Sequence, residues 1–210
     1  MNKSQLTNFI TKYTLGGEIK STKWTSNGNS LSTRFISGDK SVVGSVVLSQ
    51  FNHLSPCELG VYNTGQLSSL LSVLGDDVDI TLSNSGDKFI SMELEDTNRK
   101  TKSKYMLSDL SVIPTPPELK NLPSEFELGI KVDPYFINTF ISGKGALSEA
   151  ETFTILTENG ETKIVIGYAS IASNRVTIPV ETTKQADIEP ISFNANMFAS
   201  ILNANKDCES

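Results

Sequence analysis

Residues 57–94 read CELGVYNTGQLSSLLSVLGDDVDITLSNSGDKFISMEL, and the spacing of their apolar residues changes twice. Apolar and polar positions alternate from 57 to 62, the pattern of a half-buried strand. From 64 to 74 the apolar residues Leu67, Leu70, Leu71 and Leu74 fall at i, i+3, i+4 and i+7, the stripe of an amphipathic helix. Alternation returns over 78–84 and 88–95, on either side of Gly86-Asp87, a hairpin turn signal. The helix leaves Gly65, Ser68, Ser69 and Ser72 on its outer face. Exposed helix positions are usually filled by Glu, Lys, Gln or Arg, so this bare face needs a cause.

The same alternation between turn signals runs through most of the chain. Strands are predicted at 18–25, 30–37, 41–49, 57–62, 78–84, 88–95, 102–107, 125–132, 152–158, 162–169, 174–181 and 187–193. Asn27-Gly28, Gly38-Asp39, Gly86-Asp87 and Asn159-Gly160 stand where tight hairpins would turn. Helical spacing appears at 4–13, 64–74, 134–144 and 195–205. The expected caps are Ser4, Asn63 or Thr64, Asp133 with Pro134 behind it, and Asn194. The helix starts recur every 60 to 70 residues or so, which describes a repeat of strand, helix and three strands. The longest interval contains SVIPTPPELKNLPSE (111–125), with four of the eight prolines, and reads as an extended connector between domains. The expected organisation is therefore a first domain at 1–112, a connector at 113–123 and a second domain at 124–210. The fourth repeat begins near 186 and holds only its strand and helix. It is either degenerate or cut short, and truncation is the favoured expectation.

Composition narrows the function classes. The chain has 38% apolar and 20% charged residues and a net charge of −6, with no low-complexity block. MNKSQLTNFITKY carries no apolar run of signal-peptide type, and no stretch approaches a membrane span, so a cytosolic location is the expectation. Cys57 and Cys208 are too few for a disulfide framework or a metal pair, and both are expected reduced. His53 is the single histidine, set in SQFNHLSP, which reads as a surface connector. Gly143-Lys144-Gly145 is too short for a phosphate loop, and Asp76, Asp77 and Asp79 lack the spacing of a calcium loop. No enzyme, metal or cofactor is expected.

The four helix faces share a property. The first presents Thr7, Asn8, Thr11 and Lys12; the third Asn138, Thr139, Ser142 and Lys144; the fourth Ser200, Asn203 and Ala204. None of the four segments contains Asp or Glu, although 24 acidic residues in 210 would place about five there. Carboxylates are excluded where a surface meets a negative partner. They are also excluded where helices pack on one another or on another subunit, and the pattern alone leaves both open. Short hydroxyl and amide side chains suit water-mediated contact with a phosphate backbone, which holds DNA weakly and reads no sequence.

The stretch 57–94, the proline-rich connector and ADIEPISFNANMFASIL (186–202) resemble the DNA polymerase sliding clamps of T-even-type bacteriophages, and more distantly proliferating cell nuclear antigen. The resemblance covers nearly the whole chain in the order of its elements. It implies an α+β DNA clamp fold of two similar domains, each of two strand-helix-three-strand repeats, with antiparallel sheets outside and helices lining a ring. The implied assembly is a homotrimer, without catalytic activity, that encircles duplex DNA and tethers the replicative polymerase in a phage-infected bacterial cytoplasm. Lys12, Lys144 and Lys206 are then expected to face the DNA backbone, with Thr7, Asn8, Thr11, Ser68, Ser69, Ser72, Asn138, Thr139, Ser142, Ser200 and Asn203 as polar lining. Val42, Ile113, Leu119 and Leu122 are expected to receive the polymerase and the clamp loader, although a connector packed on its own sheet explains these apolar residues equally well. Relatives close the ring by pairing strands that correspond here to about 102–109 and 174–181. The rival expectation is a non-enzymatic β-rich structural or virion protein whose helices serve subunit contact.

Overall fold

Two sheets with the same strand order organise the chain, which a computed structural model describes over residues 1–118, 125–169, 171 and 173–206. The chain divides into two units, Met1–Glu118 and Leu119–Ser210. The first unit runs α1 (Lys3–Thr14), β1 (Thr22–Ser26), β2 (Ser30–Ile36), β3 (Val43–Ser49), β4 (Cys57–Val61), α2 (Thr64–Ser72), β5 (Val78–Ser85), β6 (Lys88–Asp96) and β7 (Lys102–Met106). Its sheets have the orders β3-β2-β1-β4 and β5-β6-β7. The second unit runs β8 (Gly129–Ile130), α3 (Pro134–Ala146), β9 (Thr152–Glu158), β10 (Glu161–Ile166), β11 (Val176–Pro179), β12 (Thr182–Lys184), β13 (Ile191–Asn194) and α4 (Ala195–Ala204). Its main sheet has the order β11-β10-β9-β13, and β12 pairs with β8. All strand pairings are antiparallel, which makes this an α+β protein with four helices among the described residues.

Each helix starts where a short polar side chain accepts a hydrogen bond from a first-turn N–H, which would otherwise lack a partner. Asn63 accepts from Gln66 at 3.0 Å, Asp133 from Phe136 at 2.8 Å and Asn194 from Met197 at 2.9 Å. For α1 the cap is Asn2, which accepts from Ser4 at 2.8 Å, so Ser4 is inside the helix and not its cap. The predicted strand 18–25 begins only at Thr22. Leu15 at φ 47°, Gly16 at 72° and Gly17 at 101° carry the end of α1 through a left-handed turn first. The expected strand 125–132 shrinks to Gly129–Ile130, and β12 forms where a loop was expected. The Asn159-Gly160 turn takes positive φ at both residues, 54° and 76°, as a hairpin twisted to match its strands requires.

The core of the first unit follows from period-two burial. Thr22, Trp24 and Ser26 of β1 are buried while Lys23 is exposed. Trp24 packs edge-on to Phe9 at 5.5 Å and to Tyr13 at 6.4 Å between ring centres, and its indole N–H donates to the Tyr13 hydroxyl at 3.2 Å. That hydroxyl in turn donates to Thr64 Oγ1 at 3.3 Å, tying α1, β1 and α2 together. Burial pushes the Tyr13 phenol above its ordinary range. The second unit is cored by phenylalanine instead. Phe140 meets Phe153 and Phe198 edge-on at 5.1 and 5.0 Å, with Ile164, Ile166, Ile178 and Leu202 around them.

Candidate nucleic-acid interface

The helix faces expected to meet DNA are built by hydroxyl side chains that turn back onto their own backbone. Ser69 donates to the Gly65 carbonyl at 3.0 Å and Ser72 to the Ser69 carbonyl at 2.7 Å. Thr11 donates to Thr7 at 2.9 Å and Thr139 to Tyr135 at 2.8 Å. Such bonds satisfy the hydroxyl proton locally and leave oxygen lone pairs outward. These hydroxyl patches are polar and themselves carry no formal charge, suited to water bridging more than to direct grip. Thr7, Asn8, Thr11, Ser69, Ser72, Asn138, Ser142 and Asn203 are exposed, and Ser68, Thr139 and Ser200 are half-exposed. Their apolar counterparts Leu6, Leu67, Leu71, Phe140 and Leu202 are buried, so the stripe expected to face inward does so. None of the four helices carries an acidic residue in its first turn, where the helix dipole would favour one.

The three expected cations part company. Lys206 is exposed just beyond α4, and Lys12 lies half-buried in the last turn of α1. Lys144 corrects the sequence expectation. It is only 8% exposed, and its ammonium donates to the Ser148 carbonyl at 2.7 Å and the Leu147 carbonyl at 3.5 Å. This charge is thus spent on the chain just past the end of α3, where the Leu147 carbonyl also accepts from the Ala150 N–H at 3.0 Å, and it sits where the helix dipole favours a cation. The sequence also missed Lys3, which donates to the Leu74 carbonyl and closes the end of α2 from α1.

The residues expected to receive partners divide similarly. Ile113 is 5% exposed and lies against Gly60 of β4, so it anchors the connector to its own sheet and is not offered to a partner. Just before it Ser108 comes close to β4, which the glycine at 60 permits, since a Cβ there would lie 2.3 Å from the Ser108 carbonyl oxygen. Arg34 donates to the Pro117 carbonyl and extends the anchoring along the sheet. Beside Ile113 lies a cleft of about 290 Å³ lined by Lys23, Arg34, Glu58, Leu110, Pro114 and Pro116. Lys23 and Glu58 pair within it at 2.7 Å. Val42 is half-buried in the β2–β3 turn, where its N–H donates to Ser37 Oγ at 3.0 Å. Leu119 and Leu122 lie outside the described residues. The strands expected to close a ring, β7 and β11, both stand at sheet edges, and Met106 at the end of β7 is exposed.

No clustering of His, Cys, Asp and Glu among the described residues could hold a metal ion. His53 is exposed on a loop with its ring edge-on to Phe51. Partial burial and the positive chain terminus lower its pKa. No helix among the described residues is long and apolar enough to cross a membrane. No family model matches the chain, and no curated protein matches it at a significant level.

Proposed function

We propose that the chain is a subunit of a DNA sliding clamp, a homotrimeric ring that encircles duplex DNA without reading its sequence and tethers a DNA polymerase. The observation that carries this reading is the exclusion of acids from four outward helix faces in a protein of net charge −6. Repulsion of phosphate explains that exclusion directly. The repeated order of the two four-stranded sheets, each in a unit with two helices, supports the clamp fold. In such a ring processivity is topological, so weak contacts from Thr7, Asn8, Ser69, Ser72 and their counterparts suffice, and Lys12 and Lys206 add attraction without specificity. The open edges of β7 and β11 fit a head-to-tail contact between unlike surfaces, which closes when the rotation allows. No group in this mechanism performs chemistry; polymerase and clamp loader are the expected partners.

The decisive experiment loads the protein onto nicked circular duplex with a cognate loader and then linearises the DNA. Retention on circles and loss from linear ends is expected. Equal retention on both would show ordinary binding and sink the reading. The Ser69→Glu/Ser72→Glu double variant should keep the fold by circular dichroism and reduce processive synthesis at low salt; undiminished processivity would remove α2 from the DNA-facing surface. A trimer in sedimentation is expected, and a stable monomer with the helix faces protected from solvent would sink the clamp reading.

A further inference from the structure

We propose that Tyr135 is the direct grip of the second unit on DNA, its phenol hydroxyl donating to a phosphate oxygen of the encircled duplex. This assignment rests on the clamp reading and adds a residue to it. Tyr135 stands two residues past the cap Asp133, where α1 has Ser4 after Asn2, α2 has Gly65 after Asn63 and α4 has Asn196 after Asn194. All four positions are exposed. In α3, Asn138, Thr139 and Ser142 follow Tyr135 at i+3, i+4 and i+7, so it shares their outward face. Of the four helices only α3 has an aromatic residue at this position, and Tyr135 is 76% exposed.

A single exposed aromatic is ordinary on a protein surface, and the setting is what distinguishes this one. Its backbone is fixed: Pro134 opens the helix, Asp133 caps it by accepting from the Phe136 N–H at 2.8 Å, and the Tyr135 carbonyl accepts from Thr139 Oγ1 at 2.8 Å. That cap also occupies the carboxylate nearest in sequence. The Tyr135 hydroxyl has no hydrogen-bond partner among the described residues. The face has no free cation of its own, because Lys144 is buried and spent on the Leu147 and Ser148 carbonyls. Tyr135 is thus the longest donor that α3 presents outward, beyond the short reach of Asn138, Thr139 and Ser142.

The same setting names the occupant. A protein partner takes an aromatic anchor by drying it among other apolar groups, and the residues that share this face, Asn138, Thr139 and Ser142, supply none. A phosphate oxygen accepts from a tyrosine hydroxyl as it does from serine or threonine, and a donor that stands above its neighbours reaches it without a bridging water. The absence of acids from α3 leaves nothing on the helix to repel that phosphate. A neutral donor releases no counterions, so the contact adds hold that salt barely weakens. It differs in this from the exposed ammonium of Lys206, whose attraction salt screens.

The test replaces Tyr135 with the photocrosslinker p-benzoylphenylalanine in the full chain, which a cognate loader places on nicked circular duplex before irradiation. A crosslink to DNA is expected from position 135, and none from the same group at Phe126, an aromatic 62% exposed but outside the helices. Retention on circles without a crosslink at 135 overturns the proposal and leaves the clamp reading standing. So does equal crosslinking from both positions, and so does a crosslink from 135 to a second copy of the chain, which would assign the face to subunit contact. Equal retention on circular and linear DNA overturns the clamp reading and the proposal with it. Tyr135→Phe tests the hydroxyl, since it keeps the ring. At fixed low salt the full chain carrying it should bind a short blunt duplex about threefold to tenfold more weakly, with the salt dependence of binding unchanged. Binding equal to that of the parent chain overturns the proposal, as does a loss accompanied by a shallower salt dependence, the mark of a lost cation.

Discussion

Strands β4 and β13 hold the same place in their sheets, one at the end of β3-β2-β1-β4 and the other at the end of β11-β10-β9-β13, and each leads through an asparagine cap into a helix. Yet the helix-facing residues Leu59 and Val61 are buried, whereas Ile191 and Phe193 are half-exposed. The difference does not arise in the strands, since both are apolar at alternate positions. It arises in what lies against them: in the first unit Ser108 bridges Gly60 and the Tyr105 hydroxyl accepts from the Asn63 N–H, whereas in the second no described residue bridges β13 on its outer side and Ile191 and Phe193 line an open groove with Phe126 and Leu128. Burial of an edge strand is thus a property of its neighbours, and the two units separate what a sheet holds by itself from what its cover adds.

The largest expected effects test what the units share. Trp24 in β1 and Phe153 in β9 occupy central strands, face the helices and are both buried. Replacing either with Ala should cost about 3–5 kcal/mol by lost contacts and a residual cavity. Hydrogen exchange resolved to each unit checks this, and a much smaller cost for Phe153→Ala would mean that the second core is not independently formed. The contrast comes next. Leu59→Ala should cost about 2–4 kcal/mol, and Ile191→Ala about 1 kcal/mol or less, since half of its surface is already in water. Equal costs would break the comparison by showing that β13 is covered in solution.

Much of this arrangement was legible in the sequence, for a local reason. Period-two alternation around Trp24 and helical spacing of Leu67, Leu71 and Leu74 report burial on one face, and burial decides element type. Boundaries were less legible where tertiary contacts set them. Residues 18–21 alternate like a strand, but the left-handed exit of α1 at Leu15–Gly17 delays β1. Candidate functions of single side chains were legible least. Lys144 looks like a surface cation on a helical wheel, because nothing local shows that the chain after α3 brings the Leu147 and Ser148 carbonyls within reach. Ile113 likewise reads as connector, and only the bare backbone at Gly60, which lets Ser108 approach, brings the following chain and Ile113 onto the sheet.

Asp96 tests the link between α2 and the cover that distinguishes the first unit. Its Oδ1 accepts from the Asn98 and Arg99 N–H groups at 2.8 and 2.9 Å, and its Oδ2 from Gly75 just after α2 at 2.8 Å. These bonds, that from Arg99 foremost, hold the carboxyl below the usual carboxylate range. A pKa lowered by folding contributes stability above the ordinary carboxylate value, near 4, and that contribution is lost as pH falls further. Asp96→Asn should therefore lower stability at neutral pH by less than Leu59→Ala does. The gap from the parent protein should close below about pH 4. A gap independent of pH would show that shape, and not charge, holds the turn.

The smallest effect concerns how the two units finish a helix. In the first, α2 is closed from outside, by Lys3 of α1 donating to Leu74. In the second, α3 is closed by its own Lys144. A buried lysine at a helix C-terminus gains from the carbonyl dipoles it satisfies, so Lys144→Met, which keeps the aliphatic bulk, should cost about 1 kcal/mol. Lys3→Met should cost about the same and should in addition loosen α1 against α2, visible as faster exchange in the last turn of α2. Lys144→Met should leave DNA retention unchanged, whereas Lys206→Met should reduce it at low salt, because only the exposed ammonium can neutralise phosphate. A loss of retention in Lys144→Met equal to that in Lys206→Met would mean that α3 opens its end to meet DNA and that its buried lysine is a reserve cation.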